Sequence, residues 1–218
     1  MRVNKLIAER LGISRRKADK IIEAGQVTMN GQPITIGQQI TDTDTIYIDG
    51  QLLPNRQPEI TILFNKPIGY VCSKDGQGSN TIYDILPAKY INLNPVGRLD
   101  KDSSGLLLLT NDGNLHQELT HPKYQKEKIY HVILNKALAA EDCKRIEQGL
   151  ELEDGISKLS LKSSSLNDKV WTVAMHEGRN RQIRRTFEKA GYIVMKLHRT
   201  NFGNYALDEL LSGEYVVI

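Results

Sequence analysis

Two carboxylates two residues apart, Asp100 and Asp102, sit in the run Pro95-Val96-Gly97-Arg98-Leu99-Asp100-Lys101-Asp102-Ser103-Ser104-Gly105. The run is polar and turn-forming, and it feeds directly into the aliphatic stretch Leu106 to Leu109. A loop anchored on a buried strand can hold a carboxylate rigidly. The pair could serve a glycosidase as its two acids, bind a metal, or simply solvate a loop, and on general grounds the solvated loop is the default. Two basic clusters accompany it. Residues 1 to 20 hold Arg2, Lys5, Arg10, Arg15, Arg16, Lys17 and Lys20 against only Glu9 and Asp19, and residues 179 to 185 hold four arginines and no acid. Each cluster reads either as a polyanion-binding surface or as a solvated face.

Much other chemistry is missing. Gly76-Gln77-Gly78 lacks the third glycine of a dinucleotide turn, and no P-loop occurs, so no nucleotide cofactor is expected. His116, His121, His131, His176 and His198 include no pair at the i, i+4 spacing that puts two imidazoles on one helix face. No metal is expected, and the histidines read as surface or hydrogen-bonding groups. Cys72 and Cys143 give neither a disulfide framework nor a zinc cluster and read as small packing residues. The 218 residues carry 29 Lys plus Arg against 26 Asp plus Glu and are 39% hydrophobic, enough for one ordinary core and a small satellite. No apolar run approaches the roughly 18 to 20 residues of a membrane span, and the N-terminus has no signal-peptide centre. A cytoplasmic, non-membrane protein is expected.

The elements that must position these groups follow from periodicity. Leu6, Ile7 and Leu11 share one helical face, Gly12 breaks the pattern, Ser14 can cap a second helix and Gly25 stops it. In that helix Ala18, Ile21 and Ile22 share a face, leaving Arg15, Arg16, Lys17 and Lys20 free to meet a ligand. Strands are expected at 27–29, 34–36 and 46–48, with a turn at Asn30-Gly31. These elements make a small αα-β domain over residues 1–53, followed by a linker at 54–60 whose polar run carries two prolines. Residues 61–218 then mix strands and helices without βαβ alternation, so an α+β fold with a mixed, mainly antiparallel sheet is expected. Its strands are expected at 61–65, 69–73, 105–110, 128–134, 158–164, 170–176 and 192–198, its helices at 114–120, 139–149 and 180–190. The serines 163–165 read as a turn.

Several of these segments carry a resemblance. Gly97-Arg98-Leu99-Asp100 followed by Ser103-Ser104-Gly105-Leu106, with Asn65-Lys66-Pro67-Ile68-Gly69 upstream, resembles the motif set of the RsuA-like family of ribosomal RNA pseudouridine synthases. Glu127-Lys128-Ile129-Tyr130 is similar to the family's tyrosine motif, and Glu177-Gly178-Arg179-Asn180-Arg181-Gln182-Ile183-Arg184-Arg185 to its third motif. Ser14-Arg15-Arg16-Lys17-Ala18 and Val27-Thr28-Met29-Asn30-Gly31 resemble the RNA-binding domain typified by ribosomal protein S-four. Thr186 departs from the Met that relatives often carry, so packing beside the pocket is expected to differ.

The resemblance implies a cofactor-free isomerase of a specific uridine in ribosomal RNA, met free or within a ribosome assembly intermediate, and a monomeric enzyme. It makes Asp100 the essential carboxylate, acting on ribose as nucleophile or base, and Arg184 the cation that pairs with it. Tyr130 then stacks on the uracil and assists proton removal, where its other reading is a strand tyrosine half buried in the core. Ile183 closes the base pocket or belongs to the core. Arg98 fills the gap left by an extruded nucleotide or makes a phosphate contact, and Lys66 with Pro67 shapes a wall of the cleft, so that Arg98, Ile183 and Lys66 make up the substrate-binding set. Arg15, Arg16, Lys17 and Lys20 would dock on RNA phosphates. Two other functions fit parts of the sequence: a noncatalytic RNA-binding or ribosome-assembly protein, and a glycoside or nucleoside hydrolase using Asp100 and Asp102.

Overall fold

The computed structural model describes residues 1–55, 57–164 and 167–218. Helices α1 (Val3–Leu11) and α2 (Arg15–Glu23) open the chain. Gly12 ends α1 in the left-handed region at φ 66°, a conformation that glycine adopts without steric cost. The Ser14 hydroxyl caps α2 by accepting from the Lys17 amide at 3.2 Å. Strands β1 (Val27–Met29), β2 (Gln32–Pro33), β3 (Ile46–Ile48) and β4 (Gln51–Leu52) form an antiparallel sheet in the order β2-β1-β3-β4. The strand expected at 34–36 is instead β2. Asn30 and Gly31 both take positive φ, so the hairpin closes at once with Met29 opposite Gln32, and Ile34 turns into the core. Val3, Ile7, Ala18, Ile22, Val27, Ile46 and Leu53 pack into a small apolar cluster of their own.

The rest of the chain is built on a mixed sheet. Its strands are β5 (Thr61–Lys66), β6 (Asn94–Val96), β7 (Ser104–Thr110) and β8 (Lys128–Leu134), with helix α3 (Gly113–Thr120) between the last two. Helix α4 (Ala140–Gln148) leads to a hairpin of β9 (Leu150–Leu152) and β10 (Gly155–Ser157), then to β11 (Ser160–Ser164) and β12 (Asn167–Met175). Helix α5 (Gln182–Lys189), β13 (Val194–Phe202), β14 (Tyr205–Ala206) and β15 (Tyr215–Val217) complete the chain. The order is β11-β12-β8-β13-β7-β5-β15, with β14 on β13 and β6 on β7. Among the described residues β7 and β13 pair parallel and the other ladders run antiparallel, in keeping with the expected α+β class. One face buries Ile62, Phe64, Leu107, Leu109, Val132 and Val173, and the other buries Leu63, Leu106, Leu108 and Phe202. No helix among the described residues is long and apolar enough to cross a membrane.

Several sequence expectations are corrected. Residues 69–73 make no strand. Gly69 takes φ 98° and donates its amide to Lys101 at 2.7 Å, which ties the segment to the Asp100 loop, and only Val71 bridges to Thr81. The last long strand begins at Val194 and runs on to Phe202, because Tyr192 turns inward and donates its hydroxyl to Asp142 at 2.8 Å. Helix α5 starts at Gln182, since Arg181 adopts a left-handed φ of 47°. Ser163 and Ser164 belong to β11 rather than to a turn, and Ser165 lies outside the described residues, as does Arg56 of the expected linker.

Candidate active site

The loop between β6 and β7 carries Asp100, and three buried groups hold its backbone. Lys66 is fully enclosed, and its Nζ donates to the carbonyls of Pro67 at 3.0 Å, Asp100 at 3.0 Å and Ser103 at 2.7 Å. Burial pushes the lysine down from its usual range, while the charges of Asp100 and Asp102 and the carbonyl bonds favour its cationic form. Lys66 therefore shapes the loop from behind and cannot touch a substrate, which corrects the substrate-binding role expected for it. Cys72 is more than packing. Its Sγ donates to the Leu99 carbonyl at 3.3 Å and accepts from the Leu99 amide at 3.4 Å. At the far end of the loop, Gly105 lies where β7 and β13 meet. A Cβ there would stand 2.2 Å from the Arg199 carbonyl oxygen, so the backbones approach as closely as they do only because the residue is glycine.

The arginines of 179–185 are used inside the molecule. Arg181 grips Asp102 through two parallel bonds of 3.0 Å and reaches Asp100 at 3.7 Å. Arg184 sits behind it, with Nε 3.3 Å from the Asp102 carboxylate and Nη2 and Nη1 donating at 2.8 Å to the Asp102 and Val194 carbonyls. The cation in contact with Asp100 is thus Arg181, which the sequence reading passed over, and not Arg184 as expected. Arg181 and Arg184 are three residues apart within the helix expected over 180–190, a spacing that could have drawn attention to both, although Arg181 stands just ahead of α5. The Arg181 bonds hold Asp102 below the usual carboxylate range, which leaves it an ion rather than a proton donor. A glycosidase needs one acid raised and protonated. Asp102 is instead held by Arg181 and Arg184 and does not line the cleft that Asp100 lines, which counts against the paired-acid reading.

Arg179 and Arg185 both clamp the turn of the β9–β10 hairpin. Arg185 binds the Asp154 carboxylate at 3.1 and 2.7 Å, and Arg179 reaches Asp154, Gly155 and Ile156 at 2.9 Å each. Thr186, the departure from the family pattern, is buried; its hydroxyl donates to the Gln182 carbonyl at 2.8 Å and lies 2.8 Å from the Ser157 hydroxyl. It ties α5 to the same hairpin.

A cleft of about 1260 Å³ opens beside this network, lined by Arg98, Asp100, Tyr130, Arg181 and Ile183. Tyr130 enters from β8, where it pairs with Val173 on one side and Arg199 on the other, and Ile183 enters from the first turn of α5. Both are largely buried, while Arg98 is exposed and Asp100 half-buried. The structure thus gathers Asp100, Tyr130, Ile183 and Arg98 around one space and keeps Lys66 and Arg184 behind its wall. Arg15, Arg16, Lys17 and Lys20 lie away from this cleft, exposed on α2.

The model of the RNA pseudouridylate synthase family matches residues 60–189, and the S4 domain model matches residues 1–46. The chain is 37% identical to the ribosomal large subunit pseudouridine synthase B of Bacillus subtilis, over 98% of this chain and 90% of that protein. It is also 37% identical to the dual-specificity RNA pseudouridine synthase RluF of Escherichia coli strain K12, over 99% of this chain and 74% of that protein. A solved crystal structure of a pseudouridylate synthase aligns over 100% of this chain and 96% of its own, at 34% identity and a TM-score of 0.71. With a family model spanning more than half of its length and relatives above 30% identity matched over nearly all of this chain, the chain belongs to the RNA pseudouridylate synthase family.

Proposed function

We propose that this enzyme isomerises a specific uridine of ribosomal RNA to pseudouridine, with Asp100 as the essential carboxylate. The observation that carries the reading is the convergence of Asp100, Tyr130, Ile183 and Arg98 on one cleft, with Arg181 against the Asp100 carboxylate. In this reading the target nucleotide swings out of its stack, because the bond to be cut is screened by neighbouring bases. Its uracil lies between the flat face of Tyr130 and the aliphatic Ile183. Asp100 acts on the ribose as nucleophile or base, the N1–C1′ bond breaks, the base turns, and C5 joins C1′. A proton leaves C5 and one is taken up at N1, so the product is an isomer. Arg181, with Arg184 behind it, keeps positive charge beside the ionised Asp100. Arg98, exposed at the rim, occupies the place of the extruded base.

The exposed cations of α2 dock on RNA phosphates, as part of a domain over residues 1–53 joined through 54–60 to a catalytic domain of 61–218. The protein works as a cytoplasmic monomer on ribosomal RNA or on an assembly intermediate. The names of the relatives direct a first test to large-subunit RNA. Purified protein incubated with unmodified ribosomal RNA is expected to yield pseudouridine at a defined position, mapped by base-specific chemical labelling. Asp100→Asn is expected to yield none. Equal signal from the two proteins would remove Asp100 from the chemistry, and binding without any modification would favour the noncatalytic RNA-binding reading.

A further inference from the structure

Arg199 is among the largest enclosed side chains of the molecule, with 1% of its surface exposed. Its Nε donates to the Leu106 carbonyl at 2.7 Å, and its guanidinium lies 5.0 Å from the centre of the Phe202 ring. Nη2 has no hydrogen-bond partner, and no carboxylate forms an ion pair with Arg199 among the described residues. A guanidinium does not shed its proton at any working pH. Burying one without a counter-charge is costly, and charged groups held in costly surroundings cluster at functional sites.

Its place fits that expectation. On β13 it pairs with Tyr130 of β8 on one side and with Gly105 of β7 on the other, and it backs the cleft. Lys66 and Lys128 are both lowered chiefly by burial, and the charge of Arg199 lowers each further. Lys66 spends its protons on loop carbonyls, and Lys128 donates to the carbonyls of Lys126 at 3.2 Å and Glu177 at 3.4 Å. Positive charge is therefore concentrated beneath the base pocket, and within it the Arg199 guanidinium has a buried nitrogen, Nη2, without a hydrogen-bond partner.

We propose that Arg199 is a supporting cation for the isomerisation, its uncompensated charge stabilising the electron pair that stays on the uracil when the N1–C1′ bond breaks. The inference rests on the reading of the cleft given above. The same electrons later form the C5–C1′ bond, with one proton lost at C5 and one gained at N1, so no oxidant or co-reactant is required. The competing role is a strap between β13 and β7 through the bond to Leu106.

Two substitutions separate charge from strap. Arg199→Lys keeps the charge, whereas Arg199→Gln keeps a donor for the Leu106 carbonyl and loses the charge. Single-turnover rates on ribosomal RNA are expected to fall about 100-fold in R199Q and to stay within about 10-fold in R199K, the scale seen when a preorganised charge is removed from an active site. RNA affinity should be little changed in both. Arg199→His supplies a readout that a strap would not move: its rate relative to the unsubstituted enzyme should rise as pH falls through the imidazole range. Equal rates for R199K and R199Q, a pH-independent R199H ratio, or a rate loss accounted for by weaker RNA binding would overturn the role. Should R199Q not fold, the R199H profile alone decides. An unsubstituted chain that leaves ribosomal RNA unmodified overturns the underlying reading and the role with it, whereas an active chain indifferent to these substitutions overturns the role alone.

Discussion

Asp100 and Asp102 are two residues apart and chemically identical, yet their partners give them different work. Asp102 is committed to Arg181 and Arg184, and Asp100 keeps a looser contact at 3.7 Å and a face on the cleft. Asp102→Asn should therefore disorder both arginines and lower the rate while leaving some activity, and Asp100→Asn should abolish it, which single-turnover assays would separate. Lys66→Met makes a second case. It strands the carbonyls of Pro67, Asp100 and Ser103, the last of them buried, and the cost is expected to be roughly 3 kcal/mol of stability, measured by denaturant unfolding. A loss below about 1 kcal/mol would mean that the loop holds itself. At this scale the sequence was legible in which side chains the fold would bring to one cleft, as with Asp100 and Tyr130. It was not legible where a role depends on reach. Nothing in the spacing says that Arg181 rather than Arg184 touches Asp100, or that Lys66 points inward.

The elements were legible where apolar residues repeat over several turns or along a long strand, as in α1, α2, β7 and β8. They were obscured where backbone conformation at one residue decides the outcome: Gly69 breaks an expected strand, Arg181 delays a helix, and the β9–β10 hairpin owes its shape to arginines distant in sequence. The β7–β13 seam is the sharpest instance. Gly105→Ala would drive a Cβ into the Arg199 backbone at a φ of 106°, and a penalty on the order of 4 kcal/mol is expected, seen as loss of soluble, folded protein. His198 sits in the same seam with Nδ1 2.9 Å from the Ser104 hydroxyl, and burial, then Lys196 and His131, depress its proton affinity. The unfolded chain thus binds that proton more tightly than the folded one, so stability should fall as pH drops below the ordinary imidazole value of about 6.5. Asp102, shifted down, adds a separate loss only as pH falls below about 4. Melting temperature followed against pH should show both phases, and His198→Asn should erase the first.

At the scale of the whole molecule, the two basic clusters that looked alike in the sequence have different fates. The arginines of 179–185 are bound to carboxylates and carbonyls within the fold, whereas Arg15, Arg16, Lys17 and Lys20 remain exposed on α2. Only the second cluster is free to exchange its counterions for phosphates. Replacing Arg15 and Arg16 together should weaken RNA binding and reduce its salt dependence by about 0.7 units of slope for each single-strand phosphate that is no longer neutralised. An unchanged slope would take RNA off that helix. Charge sums alone could not distinguish the clusters, because the distinction lies in which cations find acids across the fold.

The parallel seam also sets a time. Strand β13 lies between β8, which carries Tyr130, and β7, which follows Asp100, and it occupies residues 194–202 of 218. Until those residues have left the ribosome, no strand joins β7 to β8, and only side-chain bonds such as those from Arg181 and Arg184 to Asp102 reach across the cleft. A nascent chain halted before Val194 should bind RNA through its first helices and be unable to alter it.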